Sequence, residues 1–377
     1  MEILNNLMHA AGPFLLVICI LVFFHELGHY LVARWNNVRV EVFSIGFGPE
    51  LIGWTDNHKT RWKISLIPLG GYVKMLGDAD ASSRPDLEGL STMAEADKAE
   101  ALPLKHPRQR IAVSAAGPLA NFILAFVLLW GVYGLVGQPV YPPVVGFVQA
   151  GGVAEKIGLS VGDRIVSIND QAVERFEQIP LLLRALSDQE VNIQVLRQGE
   201  AIQFNLTADM RVTQNNSQIY LLGIGRHDAD YVRRSVTEAC WQAFVDMGHT
   251  ITMTLQAIGG IIVGGRSTAE LSGPLRIAQL SGQAADIGWI AMLLLMASLS
   301  INLGLINLLP IPMLDGGHIL FDTVEWIRGR PVREEAKEYA FRFGFLIILA
   351  IMLISMWNDL KQLRVVAWIS KLLGFGA

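Results

Sequence analysis

The chain has 377 residues, 52% hydrophobic and 17% charged, with a formal net charge of −4 and a mean hydropathy of +0.39. That balance is too apolar for an ordinary soluble protein and points to a polytopic α-helical membrane protein with some water-exposed mass. Net negative charge gives no basis for a nucleic-acid partner, and two cysteines, Cys19 and Cys240, supply neither a disulfide framework nor a cysteine-type zinc site.

In chain order, the first stretch able to cross a bilayer is about residues 13–35, where Pro13 to Phe24 holds no side chain more polar than Cys19. As a helix it would be about 34 Å long, enough for the hydrocarbon core. Inside it lies His25-Glu26-Leu27-Gly28-His29, an H-E-x-x-H pattern. On a helix the two imidazoles sit one turn apart on one face and can hold one Zn2+, with Glu26 in reach of the water that the metal acidifies. A soluble zinc-protease helix would show a polar face. Ionisable groups in an apolar span are functional candidates by default. No basic region precedes the run, and its removal would discard the motif, so it is expected to be a retained span and not a cleaved signal peptide.

Residues 38–76 read as a hairpin: 38–45 and 61–67 alternate like strands, with Gly46-Phe47-Gly48-Pro49 and Leu69-Gly70-Gly71 as turns. It is apolar enough to dip into the membrane beside the first span. Residues 78–106 are polar and read as a flexible surface segment. A second span is expected at about 111–134, where Ala115, Ala116, Gly117 and Ala120 would let a neighbouring helix approach closely.

Residues about 143–226 read as a separate α+β module, with strands at 144–148, 164–169, 190–196 and 201–206 and a short helix at 180–186. The run Ala150-Gly-Gly-Val-Ala154 to Gly158-Leu-Ser-Val-Gly-Asp-Arg-Ile-Val-Ser-Ile-Asn169 resembles the PDZ signature. In the circularly permuted bacterial form this resemblance assigns the carboxylate-binding loop to Leu221, Leu222, Gly223 and Ile224. Such a domain binds extended chains by strand addition, or it acts only as a shield. Within 227–286, the stretch 231–265 suits an amphipathic helix lying at the interface, with a fifth span as the alternative. The third and fourth spans fall at about 287–309 and 341–357. The membrane core is thus expected in two halves, 1–142 and 287–377.

Lysine and arginine placement sets the orientation. Residues 36–110 carry many, from Arg39 to Arg110, and the stretch after the third span has Arg328, Arg330, Arg333 and Lys337. Both are expected in the cytoplasm, with 135–286 and both termini outside. A catalytic zinc needs a third protein ligand. Asp315 is the best candidate, in Asn307-Leu-Leu-Pro-Ile-Pro-Met-Leu-Asp-Gly-Gly-His318, where two prolines break the helix and Gly316-Gly317 permit a sharp turn. A fifth span would put Asp315 on the wrong side. Asp315 as a helix cap, or His318 or Glu325 as the ligand, stay open as alternatives. Asn307 would hold substrate backbone or bond a neighbouring helix. His9, His58, His106, His227 and His249 have no partner at ligand spacing.

With His25-Glu-Leu-Gly-His29 in the first span and Asn307-x-x-Pro310-x-x-x-Leu314-Asp315-Gly316 after the third, the chain resembles the site-2 protease family of intramembrane zinc metalloproteases. The order of parts is similar to the bacterial regulator-of-sigma-E (RseP) type, here with one readable PDZ domain. The resemblance implies a monomeric enzyme of the bacterial inner membrane that uses Zn2+ and Glu26 to cut a membrane-spanning segment. The implied substrates are single-pass proteins already trimmed by another protease, anti-sigma factors or signal-peptide remnants. Gly46, Phe47, Gly48 and Asn307 would hold the unwound substrate, through a strand edge near 42–48. A PDZ receptor or scaffold with an inert metal site, and a zinc transporter, are the rival readings.

Overall fold

The computed structural model describes residues 2–80, 85–186, 190–206, 211–214, 217–220, 222–227, 229–264 and 273–362. In chain order they form α1 (Glu2–Trp35), β1 (Val40–Thr55), β2 (Arg61–Met75), α2 (Leu87–Thr92), α3 (Glu95–Lys98) and α4 (Pro107–Leu135). Then come β3 (Gln138–Val140), β4 (Val145–Val148), α5 (Val153–Ile157), β5 (Arg164–Ile168), β6 (Gln171–Ala172), α6 (Gln178–Ala185), β7 (Val191–Arg197), β8 (Glu200–Leu206), β9 (Arg211–Gln214), β10 (Ser217–Tyr220), β11 (Ile224–Arg226) and β12 (Asp230–Val232). The chain continues through α7 (Val236–Ile262), α8 (Pro274–Ile287), α9 (Trp289–Asn307), α10 (Asp315–Arg328) and α11 (Glu334–Gln362). Packing divides them into two units: Met1–Leu129 with Ala243–Ala377, and Trp130–Gln242.

In the first unit, α1, α4, α9 and α11 are long and apolar enough to cross a membrane, over Met8–Trp35, Pro107–Leu135, Trp289–Asn307 and Glu334–Lys361. These are the four stretches expected from hydropathy, and α7 is not among them. Apolar side chains such as Leu16, Ile123, Phe343 and Leu353 stay exposed along them, which lipid explains better than water. Where helices meet, small residues bring the backbones together. Gly28 of α1 lies against the Ala116 carbonyl and the Ala120 methyl of α4, with no room for a side chain. Val17, Leu21, Leu124 and Met296 then form a core shared by α1, α4 and α9.

The β1–β2 hairpin is longer than its sequence suggests, and it curls. Val42–Ile45 pairs with Arg61–Ile64 on one side and with Gly71–Lys74 on the other, while Ile52–Thr55 pairs back onto Arg61–Ile64. Two strands thus make a four-layer ribbon in the order 52–55, 61–64, 42–45, 71–74. The Gly46–Pro49 and Leu69–Gly71 stretches are not turns. They are bends within β1 and β2, with Gly46 and Gly48 at φ +91 and +87, a conformation that favours glycine. The reversal falls at Asp56–Lys59 instead, where Asp56 Oδ1 accepts from the backbone N–H of His58 and Thr60 at 2.8 and 2.9 Å. Phe43 stacks on Trp62 at 4.3 Å between ring centres. Trp62 Nε1 donates to Asp56 Oδ2 at 2.9 Å, and Tyr30 of α1 meets Trp62 at 4.9 Å. This cluster clamps the ribbon to α1, leaving Leu51, Ile52, Trp54, Leu66 and Ile67 exposed.

The segment 78–106, expected as flexible surface, contains α2, α3 and a 3-10 turn at Leu102–Leu104. It is clasped to the start of the hairpin by Arg39, which pairs with Asp97 at 2.7 Å and with Glu100. After α9 the break occurs as the prolines require, but the sharp turn falls on Met313, at φ +83. Gly316 and Gly317 are helical, and they let the Leu308–Pro312 loop press against the first turn of α10.

The second unit has a four-stranded antiparallel sheet in the order β6-β5-β7-β8, with β4 paired to β11 and β3 to β12. Val145, Val153, Ile165, Ile168, Ile179, Leu183, Ile193 and Leu206 form its core. The turn entering β5 is held by buried Asp163, which accepts from Arg197 Nε at 2.7 Å and Nη2 at 2.8 Å and from the Ser160 N–H at 2.8 Å. Burial pushes the Asp163 carboxyl up, but Arg197 and the Ser160 amide outweigh it and hold the group below the usual carboxylate range. The pair therefore stabilises the unit above the unfolded carboxylate pKa and ceases to do so as pH falls through the folded one. Asp163→Ala should loosen the unit by about 1.5–3 kcal/mol at neutral pH, read as faster native-state proteolysis between 130 and 242 in the full chain. The gap from wild type should narrow on acidification.

Candidate active site

The H-E-x-x-H stretch lies in the C-terminal part of α1, and the helix spacing puts both imidazoles on one face. Asp315 comes to them from the first turn of α10. Leu314 is the cap position of that helix and Asp315 follows it, so the carboxylate is not spent as a cap. Nε2 of His25 lies 3.2 Å from Asp315 Oδ2, and Nε2 of His29 lies 3.4 Å from Oδ1. The two Nε2 atoms are 3.2 Å apart, and all three ligand atoms fall within 4.8 Å of one another. Donors around a tetrahedral zinc at about 2.0–2.2 Å stand about 3.3 Å apart. The donor set, its spacing and its three-ligand count fit a catalytic zinc with one open position.

Helix α4 sets both rings. The His29 Nδ1 lies 2.8 Å from the Val113 carbonyl, and the Asn121 side chain lies 3.1 Å from His25 Nδ1. Between them, Gly117 passes so close to both rings that any side chain would collide with them. Val113, Gly117 and Asn121 are spaced by four, a single stripe on α4. Sequence reading noted Gly117 only as a small residue and missed Asn121. The signal was present, since Asn121 is the one amide in 111–134 and polar groups in spans are functional candidates.

Glu26 faces a cavity of about 190 Å3 whose wall includes His25, His29, Tyr72, Val73, Asp315 and His318. Its carboxylate accepts from the Val73 N–H. That bond shows which way the edge of β2 faces: 71–75 pairs with β1 on one side and turns its other side to Glu26. Val42–Ile45, expected as the open edge, is paired on both sides. Phe47 reaches the site indirectly, stacking on Tyr72 at 6.0 Å between ring centres, and Gly46 and Gly48 flank it at the bend. Asn307 is the last residue of α9 and does not line the cavity.

The alternatives to Asp315 are placed elsewhere. His318 lines the cavity but is not in the ligand group. Glu325 pairs with Arg110 at the start of α4 and with Lys337 of α11 at 2.9 Å. Asp322 joins the same cluster, 3.2 Å from Arg110; burial pushes its carboxyl up to about 6 against the pull of Arg110. Leu222, Gly223 and Ile224 lie in the other unit, where the Gly223 carbonyl accepts from Gln149 at 2.7 Å, and Leu221 lies outside the described residues.

Residues 13–351 match the model of peptidase family M50. A protein of Agrobacterium fabrum, named as a candidate zinc metalloprotease, is 41% identical over 96% of this chain and 100% of its own length. Similarly named proteins of Rhizobium meliloti and Campylobacter jejuni are 39% and 36% identical, over 96% and 92% of this chain and 99% and 92% of theirs. The match therefore runs through both units and takes in the histidines, the glutamate and the aspartate that converge here. The chain belongs to peptidase family M50, and it is a multi-pass membrane zinc metalloprotease of the intramembrane-cleaving kind.

Proposed function

We propose that the enzyme hydrolyses a peptide bond within the membrane-spanning segment of a single-pass protein, after another protease has removed the outward part. What carries this reading is that the three-ligand group and Glu26 share one cavity with an unpaired strand edge, beside the apolar helices α1 and α4. His25, His29 and Asp315 would hold the zinc. When bound, zinc supplies a Lewis acid that acidifies water and polarises the scissile carbonyl. Glu26 takes the proton from that water and delivers it to the leaving amine, kept in position by the Val73 N–H. A helical substrate hides its amides in i→i−4 bonds, so it must unwind to be cut. The Gly71–Val73 edge, short of Met75 whose N–H and carbonyl are taken by Asp78, offers its remaining backbone groups to the unwound piece, with Phe47 buttressing Tyr72 beneath it and Asn307 steadying the chain from the end of α9.

The exposed apolar side of the hairpin supports an insertion into the bilayer beside α1. The basic residues of 36–110 and 328–337 support a cytoplasmic placement for the catalytic side, with unit 130–242 outside, in a bacterial inner membrane. The antiparallel sheet, short helices and Asp163-Arg164 turn of that unit support a PDZ domain. It would bar substrates that still carry a bulky outward domain, leaving anti-sigma factors or signal-peptide remnants as the cleavable class.

Glu26→Gln should keep one zinc per chain in detergent while cleavage of a single-span reporter falls by about 10²–10⁴-fold; cleavage at the wild-type rate would exclude Glu26 as the proton carrier. Because the Val73 N–H points away from β1, Val73→Pro leaves the β1–β2 ladder in place. It should lower turnover by at least about 10-fold, the worth of one charge-assisted hydrogen bond and its edge, with zinc content unchanged. Undiminished turnover would rule out the Val73 N–H as the group that positions Glu26.

A further inference from the structure

The two histidines present Nε2 toward Asp315, so each must keep its ring proton on Nδ1, where it needs an acceptor. For His29 the acceptor is plain: the Val113 carbonyl at 2.8 Å can only accept. His25 meets the Asn121 side-chain amide at 3.1 Å, with the amide nitrogen on the near side. In that orientation two N–H donors oppose each other, while Asn121 Oδ1 is buried with no hydrogen-bond partner. Asn121 is fully buried, at 0% exposure, so bulk solvent does not reach its oxygen. The nitrogen and oxygen of an amide have the same shape and opposite chemistry. Turning the amide over replaces two opposed donors beside the zinc ligand with one N–H···O bond and moves the unpartnered position from the amide oxygen to the amide nitrogen. The amide nitrogen then takes the buried position that Oδ1 vacates.

The geometry points to Asn121 as the positioning residue of the metal site, accepting the Nδ1–H of His25 through Oδ1 and so fixing the tautomer that offers Nε2 to zinc. Its backbone is itself held, because the Ser300 hydroxyl of α9 donates to the Asn121 carbonyl at 2.7 Å. One stripe of α4 thus orients both imidazoles, with a backbone carbonyl at residue 113 and a side-chain carbonyl at residue 121. Partners of this kind set ring orientation and ligand basicity in zinc sites generally.

The inference rests on His25, His29 and Asp315 being the zinc ligands, and the test separates the two. Zinc affinity is measured on the full chain in detergent by competition with a chromophoric chelator, for wild type, Asn121→Asp, Asn121→Leu and His25→Ala. Asn121→Asp keeps an acceptor and removes every donor, and it should hold zinc at least as tightly as wild type. Asn121→Leu keeps the volume and removes the acceptor, and it should bind about 10–100-fold more weakly. Loss of tight binding in a folded Asn121→Asp overturns the acceptor role even if Asn121→Leu does not fold, and so does wild-type affinity in Asn121→Leu. His25→Ala should lose tight zinc binding. If it does not, the ligand set is wrong and the assignment of Asn121 falls with it; if it does, failure of Asn121→Asp counts against Asn121 alone.

Discussion

Everything in the membrane unit depends on bringing two imidazoles and a carboxylate within 4.8 Å of one another beside the apolar helices α1 and α4. A charged group in such surroundings is costly unless it is paired. Three ligands meeting at one point meet that cost jointly, but only if the helices carrying them pack more closely than ordinary side chains allow. Gly117 is the clearest consequence, since it alone lets α4 pass beside both rings. Gly28 does the same for the α1 backbone at Ala116, and Gly316 and Gly317 do it for the loop that delivers Asp315. In each case the missing side chain makes room for the site and does not serve as a hinge.

How much of this could be read beforehand follows from which signals are local. Span length and H-E-x-x-H spacing are properties of short windows, so the four helices and the first two ligands were legible. Asp315 was legible because a helix broken by two prolines around a lone carboxylate is also a local pattern. The hairpin shows where local reading stops. Gly46, Gly48, Gly70 and Gly71 carry the composition of turns, yet β1 and β2 run through them, because pairing on both sides of Val42–Ile45 holds the strands extended past each bend. That pairing is set by contacts between distant residues, and it also decides that the open edge is 71–73 and not 42–48. The Asn121 role was hidden for a related reason: an amide in a span announces a function, but its partner lies on another helix.

The hairpin edge and the metal group are coupled through one residue. Val73 donates to Glu26 from the side of β2 that faces the cavity, so the strand that would align a substrate also positions the group that moves the proton. Phe43, Trp62 and Asp56 fix the ribbon to α1 at Tyr30, the residue after His29. The ribbon, Glu26 and the two histidines are therefore held against one helix, so a substrate laid along 71–73 would be placed relative to the metal group without a separate adjustment.

Asp315 belongs to a different helix, and its placement needs a second anchor. Asp315 and Glu325 stand about 15 Å apart along α10, and at the far end Glu325 and Asp322 meet Arg110 at the start of α4. The near end meets the rings that Val113 and Asn121 orient. Helix α10 is therefore tied twice, to α1 at the metal group and to α4 at the Arg110 cluster, and Lys337 ties the same cluster to α11. A buried ion pair adds little net stability, because desolvation offsets the attraction, but separating its partners leaves a charge uncompensated. Sliding α10 along α4 would break both ties at once. The Arg110 cluster thus holds the register of the third ligand, so the metal geometry is set as much at residue 110 as at residue 315.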